Sequence, residues 1–139
     1  MAKIEYTLSI YPFHIDAMDH VNNIVYIQWM EIGRVLLLNA VDMPVEQIAK
    51  DGFGPALVAT NISYKKPLYL GDTVSGSIWI SQLGSASAVM SFEFLNQNGE
   101  TAAIGTQKGL FIDLTSKKPK RITPEQREKF SAYLQTTSP

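Results

Sequence analysis

Residues 11–39, YPFHIDAMDHVNNIVYIQWMEIGRVLLLN, form the stretch on which the fold depends. It contains both histidines of the chain and leads into the longest apolar run. Between positions 24 and 41, the only polar side chains are Gln28, Glu31, Arg34 and Asn39. Such a run is too apolar for a surface helix, and too short and interrupted for a membrane span. It predicts a buried helix whose N-terminus faces the polar loop of residues 14–22.

This helix is predicted to begin near residue 24 and to end near residue 40, a length of roughly 25 Å at 1.5 Å per residue. Asp19, Asn22 and Asn23 are alternative N-caps, because a short side-chain acceptor satisfies free N–H groups of the first turn. Gly33 lowers the helix propensity. Its presence predicts the close approach of another backbone.

The rest of the chain predicts strands and two shorter helices. Strands are predicted over residues 4–13, 56–66, 73–83, 86–97 and 101–114. Asn98-Gly99 predicts a hairpin whose two turn positions both need positive φ. A short helix with Asp42 in a capping position is predicted to end before residue 52, and GFGP (52–55) is predicted to break the chain.

The sequence TPEQ (123–126) predicts a capped terminal helix, because it combines an N-cap, a first-turn proline and a capping-box glutamine. Phe130, Tyr133 and Leu134 are predicted to lie on one side of it. The order of elements predicts an α+β protein with one domain, residues 1–139. Its most economical packing is a five-stranded antiparallel sheet wrapped around the long helix.

The composition is that of an ordinary globular protein. Twelve basic and 13 acidic residues give a net charge of −1, so there is no case for nucleic acid or an anionic membrane as a partner. The absence of cysteine excludes disulfides, thiolate metal sites and a cysteine nucleophile. The N-terminus has no signal-peptide pattern, so a cytoplasmic location is expected by default.

Two segments carry a resemblance to a known family. The first is DAMDHVNNIVYIQWMEIGR (16–34), and the second is NISYKKPLYLGD (61–72). Together with the strand order, they resemble the hotdog-fold acyl-CoA thioesterases of the 4-hydroxybenzoyl-CoA thioesterase type. The resemblance implies hydrolysis of a fatty or aromatic acyl-CoA. It also implies that no metal or cofactor is needed beyond the coenzyme A of the substrate, and that the chain forms a homodimer or homotetramer with sites between subunits.

The resemblance assigns the chemistry to Asp16 and Asn23. In the family, the aspartate matching Asp16 acts as nucleophile or general base, and the backbone N–H matching Asn23 polarises the acyl carbonyl. A helix N-terminus suits a developing oxyanion, since it offers free N–H groups and positive partial charge. From the residues alone, an aspartate before a helix is most often only a cap of that helix, and this explanation of Asp16 stands beside the catalytic one. His20 is predicted to orient the substrate or assist catalysis, with a structural role in the loop as the alternative.

The predicted substrate-binding residues are Asn22, Tyr26, Glu31, Lys65 and Lys66. Glu31 and Arg34 lie three apart on one helical face and are predicted to pair. Glu31 is also the reserve catalyst, because a helix carboxylate does the chemistry in other branches of the hotdog thioesterases. Lys65 and Lys66 are candidates for the phosphates of coenzyme A, or else solvated residues at a strand end.

Several alternatives stay open at this stage. His14, Asp16, Asp19 and His20 have the residue types of a metal site, although such crowding is common in loops. Where the family has an aspartate this chain has His14, and where it has a glycine this chain has Asp19. The competing function is a non-catalytic hotdog module that binds an acyl thioester or a protein partner. Thioesters of acyl carrier protein are an alternative substrate.

Overall fold

Five long strands form one antiparallel sheet in the computed structural model, which describes residues 2–135. The strands are β1 (Ile4–Leu8), β2 (Phe53–Tyr64), β3 (Val74–Leu83), β4 (Ser87–Leu95) and β5 (Thr101–Asp113). They pair in the order β1-β3-β4-β5-β2, so β1 and β2 are the edges. A two-residue strand that the sequence patterns do not predict, β6 (Pro119–Lys120), pairs with β5. The predicted five-stranded antiparallel sheet is confirmed.

The long helix α1 (Asn23–Ala40) packs against one face of this sheet. Of the three alternative caps, Asn22 is the N-cap, and its Oδ1 accepts a hydrogen bond from the N–H of Ile24 at 3.1 Å. Trp29, Met30 and Leu37 are buried on the side that faces the sheet. No helix within residues 2–135 combines the length and apolar character that crossing a membrane requires.

One side of α1 is exposed, so the prediction of a buried helix holds only for the side that faces the sheet. Ile24, Ile27, Ile32 and Val35 are between 39% and 62% exposed. A single sheet covers only one side of a helix, and α2 (Val45–Lys50) is too short to cover the other. An apolar stripe therefore remains on the outer side of α1.

Gly33 makes room for a side chain, not for a second backbone as predicted. A Cβ at Gly33 would lie 2.5 Å from the hydroxyl oxygen of Tyr6. That hydroxyl donates a hydrogen bond to the carbonyl oxygen of Trp29 at 2.9 Å. Burial raises the pKa of Tyr6, so the hydroxyl keeps its proton. The glycine therefore allows β1 to be tied to α1.

Two predictions based on proline and glycine are wrong. The first strand ends at Leu8, and Pro12–His14 forms a 3-10 turn. The GFGP segment does not break the chain, because β2 already begins at Phe53. Pro55 is tolerated there because β2 is an edge strand and pairs only with β5 among the described residues.

The ends of the helices differ from the predictions in detail. Asp42 does not cap α2, whose N-cap is Pro44. Asp42 has a φ of 60° and ends α1 in a Schellman motif, in which the N–H of Met43 donates to the Leu38 carbonyl at 2.8 Å. The capping box that starts α3 (Pro124–Ser131) is confirmed. Because α3 ends at Ser131, Tyr133 and Leu134 lie beyond it.

The predicted hairpin between β4 and β5 is confirmed, but its turn is of another type. Only Gly99 has positive φ, at 75°, and Asn98 does not. The N–H of Gly99 donates to the Asn96 carbonyl at 3.0 Å, which closes a four-residue turn. The register between β4 and β5 shifts beside this turn, at Leu95.

Candidate active site

A small hairpin formed by residues 14–22 leads directly into α1. Ile15 and Val21 form an antiparallel bridge. Beside it, the N–H of Asp16 donates to the His20 carbonyl at 2.9 Å. The N–H of Val21 donates to the carbonyl of Leu68 at 2.8 Å, which anchors the hairpin to the segment after β2. The hairpin therefore holds Asp16 opposite His20, immediately before the start of the helix.

The half-buried carboxylate of Asp16 stabilises the turn of this hairpin. Its Oδ1 accepts hydrogen bonds from the N–H groups of Met18 at 2.9 Å and His20 at 3.3 Å. Its Oδ2 accepts no hydrogen bond from any residue between positions 2 and 135. Asp16 thus stabilises its own loop and does not cap α1, whose N-cap is Asn22, so the helix-cap alternative is wrong. Within residues 2–135, its second oxygen stays available for chemistry.

The start of α1 offers one backbone N–H that has no acceptor in the described chain. The N–H of Ile24 donates to Asn22 Oδ1 at 3.1 Å, and that of Val25 donates to the Asn22 carbonyl at 2.9 Å. The N–H of Asn23 donates to no acceptor within residues 2–135. The first N–H groups of a helix carry the positive end of its dipole. The N–H of Asn23 can therefore stabilise negative charge on a substrate oxygen.

The other residues predicted around this point differ in accessibility. His20 is half-buried and packs edge-on against Tyr69, with ring centroids 5.2 Å apart. The side chain of Asn22 is used by the helix cap. Tyr26 is 2% exposed, and burial raises its pKa to about 12. Substrate contacts by His20, Asn22 and Tyr26 stay predictions.

The end of β2 lies beside the start of α1. The hydroxyl of Tyr64 donates a hydrogen bond to the carbonyl oxygen of Asn23 at 3.0 Å, a link that the sequence motifs do not indicate. Lys65 and Lys66 follow directly. The ammonium of Lys66 pairs with the carboxylate of Glu100. Lys65 is exposed and forms no ion pair within residues 2–135, so it is the better candidate for a phosphate.

The predicted pairing of Glu31 with Arg34 is confirmed, at 3.6 Å. Arg34 Nη1 also donates to Gln107 Oε1 at 2.6 Å, and Gln107 Nε2 donates to Thr60 Oγ1 at 3.2 Å. Gln107 is fully buried. We call this connection between α1, β5 and β2 the Arg34–Gln107–Thr60 chain. Glu31 lies roughly 12 Å along α1 from Asn23, at 1.5 Å per residue.

The four possible metal ligands of the loop are not gathered around one point. No group of three or more His, Asp or Glu side chains arranged to hold a metal occurs between residues 2 and 135. His14 Nδ1 accepts a hydrogen bond from the N–H of Tyr11 at 3.0 Å. His14 therefore stabilises the 3-10 turn.

A large cavity lies away from Asp16. It has a volume of about 380 Å³ and lies between the second half of α1 and strands β2, β4 and β5. Its lining is mostly apolar, with Glu31 and Arg34 as the charged residues. We call it the apolar cavity. Neither Asp16 nor Asn23 contributes to its lining.

Large apolar side chains on the surface surround the hairpin. They are between 47% and 81% exposed: Tyr11, Phe13, Met18, Ile24, Tyr69 and Leu70. Exposed apolar patches of this kind mark binding or assembly surfaces. The surface around Asp16 therefore has the character of a site that another molecule covers.

Asp19 holds the hairpin in a conformation that favours glycine, since its φ is 63°. We expect Asp19→Gly to raise the free energy of unfolding by about 1 kcal/mol, because glycine removes the steric cost of a Cβ in this region. Thermal unfolding followed by circular dichroism measures the change. Asp51→Gly is the matched control, because Asp51 has a φ of −79° and gains nothing. A lower melting temperature for Asp19→Gly would contradict this reading of the loop.

Known proteins resemble this chain over most of its length. A sequence model of the thioesterase-like superfamily matches residues 12–130. YneP of Bacillus subtilis (strain 168), whose acyl-CoA thioesterase activity is itself a proposal, is 33% identical over 104 residues, 75% of each chain. The long-chain acyl-CoA thioesterase FadM of Escherichia coli (strain K12) is 27% identical over 128 residues, 91% of this chain and 96% of FadM.

A solved structure shows the same fold. The DHNA-CoA thioesterase of Staphylococcus aureus superposes with a TM-score of 0.88 at 21% identity. The match covers 95% of this chain and 91% of that one. The predicted hotdog fold is confirmed by this likeness.

Proposed function

This chain belongs to the thioesterase-like superfamily and is a thioester hydrolase, and we propose that it hydrolyses acyl-coenzyme A to the free acid and coenzyme A. The names of two relatives support this choice of substrate. The observation that carries the proposal lies at the start of α1. There, Asp16 has a carboxylate oxygen and Asn23 an N–H that form no hydrogen bond with any of residues 2–135, and both belong to one short hairpin and its helix.

In the proposed reaction, the acyl carbonyl oxygen accepts a hydrogen bond from the N–H of Asn23. This donor stabilises the oxyanion of the tetrahedral intermediate, and one such donor contributes about 10²-fold to 10³-fold in rate. Asp16 Oδ2 either takes a proton from the attacking water or attacks the carbonyl carbon, forming an anhydride that water then opens. In either route the carbon–sulfur bond breaks when the tetrahedral intermediate collapses, and coenzyme A leaves as a thiolate. In the general-base route the thiolate takes up the proton that Asp16 removed from water; in the nucleophilic route that collapse forms the anhydride, and the water that opens it supplies the proton. The reaction requires water and no further cofactor.

Lys65 is proposed to bind a phosphate of coenzyme A. Its exposed ammonium lies one residue after Tyr64, which is bonded to the carbonyl of Asn23. A cation at this position attracts the phosphates of a substrate whose thioester is at the helix start. Lys66 is less available, because Glu100 already neutralises it.

We further propose that a second copy of the chain completes the site. β2 is a long edge strand, and Leu57 and Val58 on it are 42% and 55% exposed. The apolar stripe of α1 is a second exposed apolar surface. An exposed apolar edge strand is prone to pair with another chain. A symmetric pair of β2 strands would cover both surfaces in a homodimer, or in a homotetramer built from it.

Val58→Lys tests this assembly. We expect the variant to be monomeric in size-exclusion chromatography with light scattering, because a charged side chain on an edge strand opposes pairing with a second strand. Its turnover falls at least tenfold if the partner completes the site. Leu114→Lys, at an apolar position 39% exposed beside the start of β2 and far along the strand from Val58, leaves the assembly unchanged. A monomeric wild-type protein with full activity would contradict the proposal.

The competing function is a module that binds acyl thioesters without cleaving them. The two are separated by incubating the wild-type protein with acyl-CoA of several chain lengths and an aromatic acyl-CoA while detecting free thiol. Thiol release supports the hydrolase, and saturable binding without thiol release supports the module. Acyl carrier protein loaded with the same acyl groups is assayed in parallel. Faster thiol release from the carrier than from acyl-CoA would identify acyl carrier protein thioesters as the substrate.

A further inference from the structure

The first turn of α1, which carries the N–H of Asn23, is held mostly by bonds within its own stretch of chain. The N–H of Asn22 donates to the carbonyl of His14 at 2.8 Å. Those of Ile24 and Val25 both donate to Asn22. Helix ends held only by local bonds open easily, because their outermost N–H groups lack intrahelical partners. A fixed direction for the Asn23 N–H therefore needs support from elsewhere in the fold.

Tyr64 supplies that support. Its hydroxyl donates a hydrogen bond to the carbonyl oxygen of Asn23 at 3.0 Å, across 41 positions of sequence. No other hydrogen bond among residues 2–135 joins the backbone of residues 22–25 to a strand. Burial raises the pKa of the Tyr64 hydroxyl, so it keeps its proton and remains a donor at neutral pH.

Tyr64 is itself held in place by the sheet and by the core. It is the last residue of β2 and pairs with Ala103 of β5. Directly after it, the next two backbone N–H groups both donate to the carbonyl of Ala102, at 2.7 Å and 3.1 Å. Its ring packs edge-on against the buried ring of Tyr26, with centroids 5.1 Å apart. The hydroxyl therefore reaches Asn23 from a rigid support.

The bond from Tyr64 acts on the peptide group that follows the Asn23 N–H. The Asn23 carbonyl and the Ile24 N–H belong to one planar peptide. Tyr64 donates to the carbonyl of this peptide and Asn22 Oδ1 accepts from its N–H, so each bond polarises the peptide and strengthens the other. With this peptide fixed, Asn23 keeps its helical conformation and its N–H keeps one direction. Stabilisation of an oxyanion depends on donors whose direction is set before the reaction.

We propose that Tyr64 is a positioning residue: its hydroxyl orients the N–H of Asn23 towards the oxyanion without touching the reacting atoms. This inference rests on the proposed function. The hydroxyl donates its one proton to the Asn23 carbonyl, so it has none to offer to the leaving thiolate. Loss of the hydroxyl should therefore weaken binding of the transition state and leave binding of the substrate unchanged.

Tyr64→Phe removes the hydroxyl and keeps the ring against Tyr26. We expect kcat on acyl-CoA to fall about tenfold, less than the loss of a whole oxyanion donor, and KM to change less than about twofold. Tyr133→Phe is the matched control and keeps the wild-type kcat, because the Tyr133 hydroxyl forms no hydrogen bond within residues 2–135. An unchanged kcat in folded Tyr64→Phe, or a higher KM at unchanged kcat, would overturn the proposal.

Two inhibitors separate positioning from a general weakening of the site. Trifluoroacetonyl-CoA is a ketone that forms a tetrahedral adduct and so uses the oxyanion donor, whereas S-propyl-CoA has no carbonyl. We expect Tyr64→Phe to raise the inhibition constant of the ketone about tenfold and that of the thioether less than about twofold. Equal increases for both inhibitors would overturn the proposal, because they would show a defect in the whole site.

Hydrogen exchange tests the positioning by itself. If no acyl-CoA releases thiol with the wild-type protein, the proposed function fails, and the N–H of Ile24 still reports on the first turn. We expect Tyr64→Phe to raise the exchange rate of this N–H about tenfold by NMR, while the rate at Leu37, far along α1, stays unchanged. Tyr133→Phe keeps both rates. An Ile24 exchange rate equal to that of the wild type in Tyr64→Phe would overturn the proposal.

Discussion

Replacement of Asp16 by asparagine is expected to lower kcat on acyl-CoA by roughly 10³-fold, because the amide can neither attack the carbonyl nor take a proton from water. The fold is expected to survive. An asparagine oxygen still accepts the hydrogen bonds that Oδ1 receives from Met18 and His20, so the turn of the hairpin is kept. Free-thiol release measures turnover, and circular dichroism measures stability.

Two isosteric variants serve as controls for Asp16→Asn. Asp19→Asn changes a neighbouring exposed carboxylate of the same loop and leaves kcat within about threefold of the wild type, since charge alone at that distance is screened. Glu31→Gln changes the reserve catalyst. If Asp16→Asn keeps full turnover and Glu31→Gln loses it, the catalytic carboxylate is Glu31, in the middle of α1.

Gly105→Ala is expected to have the largest effect on stability. A Cβ at Gly105 would lie 2.6 Å from the carbonyl oxygen of Asn61 and would also collide with Met30. The first contact is with the backbone of β2, which pairs with β5 at this point and cannot move without loss of the sheet. Overpacking of this kind costs about 3 kcal/mol, which lowers the melting temperature by about 10 °C.

The matched control for Gly105→Ala is the same substitution in β2. A Cβ at Gly54 would meet only Leu114, at an ordinary contact distance of 3.4 Å. Gly54→Ala is therefore expected to be neutral, or stabilising by about 0.5 kcal/mol, because alanine lowers the entropy of the unfolded chain. Equal melting temperatures for Gly105→Ala and the wild type would show that α1 and β5 are less tightly packed than described.

Features that depend on local chemistry could be predicted from the sequence. The sequence predicts the capping box at Thr123, and it predicts the start of α1 to within one residue. Both depend on side chains that bond to nearby backbone. The type of the β4–β5 turn could not be predicted, because Asn98-Gly99 fits more than one hairpin geometry. The prediction for the GFGP segment is wrong, since Pro55 is compatible with a strand only at a sheet edge. Which strand lies at the edge is a property of the whole fold.

In the candidate site, too, local features could be predicted from the sequence and features that depend on the whole fold could not. The motif around Asp16 and Asn23 could be recognised in the sequence, and the free N–H follows from where the helix begins. The hydrogen bond from Tyr64 to the carbonyl of Asn23 could not be predicted, because it joins residues far apart in the sequence. The same holds for the Arg34–Gln107–Thr60 chain. The apolar cavity depends on the separation of α1 from the sheet, which Ala88 on β4 and Gly109 on β5 determine together.

The most direct test of the central claim is a crystal structure with a non-hydrolysable acyl-CoA thioether-ketone analogue. The measured quantities are the distances from its carbonyl group to the N–H of Asn23 and to the carboxylate of Asp16. We predict that the carbonyl oxygen lies about 3 Å from the nitrogen of Asn23, and that Asp16 lies about 3–3.5 Å from the carbonyl carbon or from one intervening water. A carbonyl group bound beside Glu31, with Asp16 facing solvent, would contradict the account.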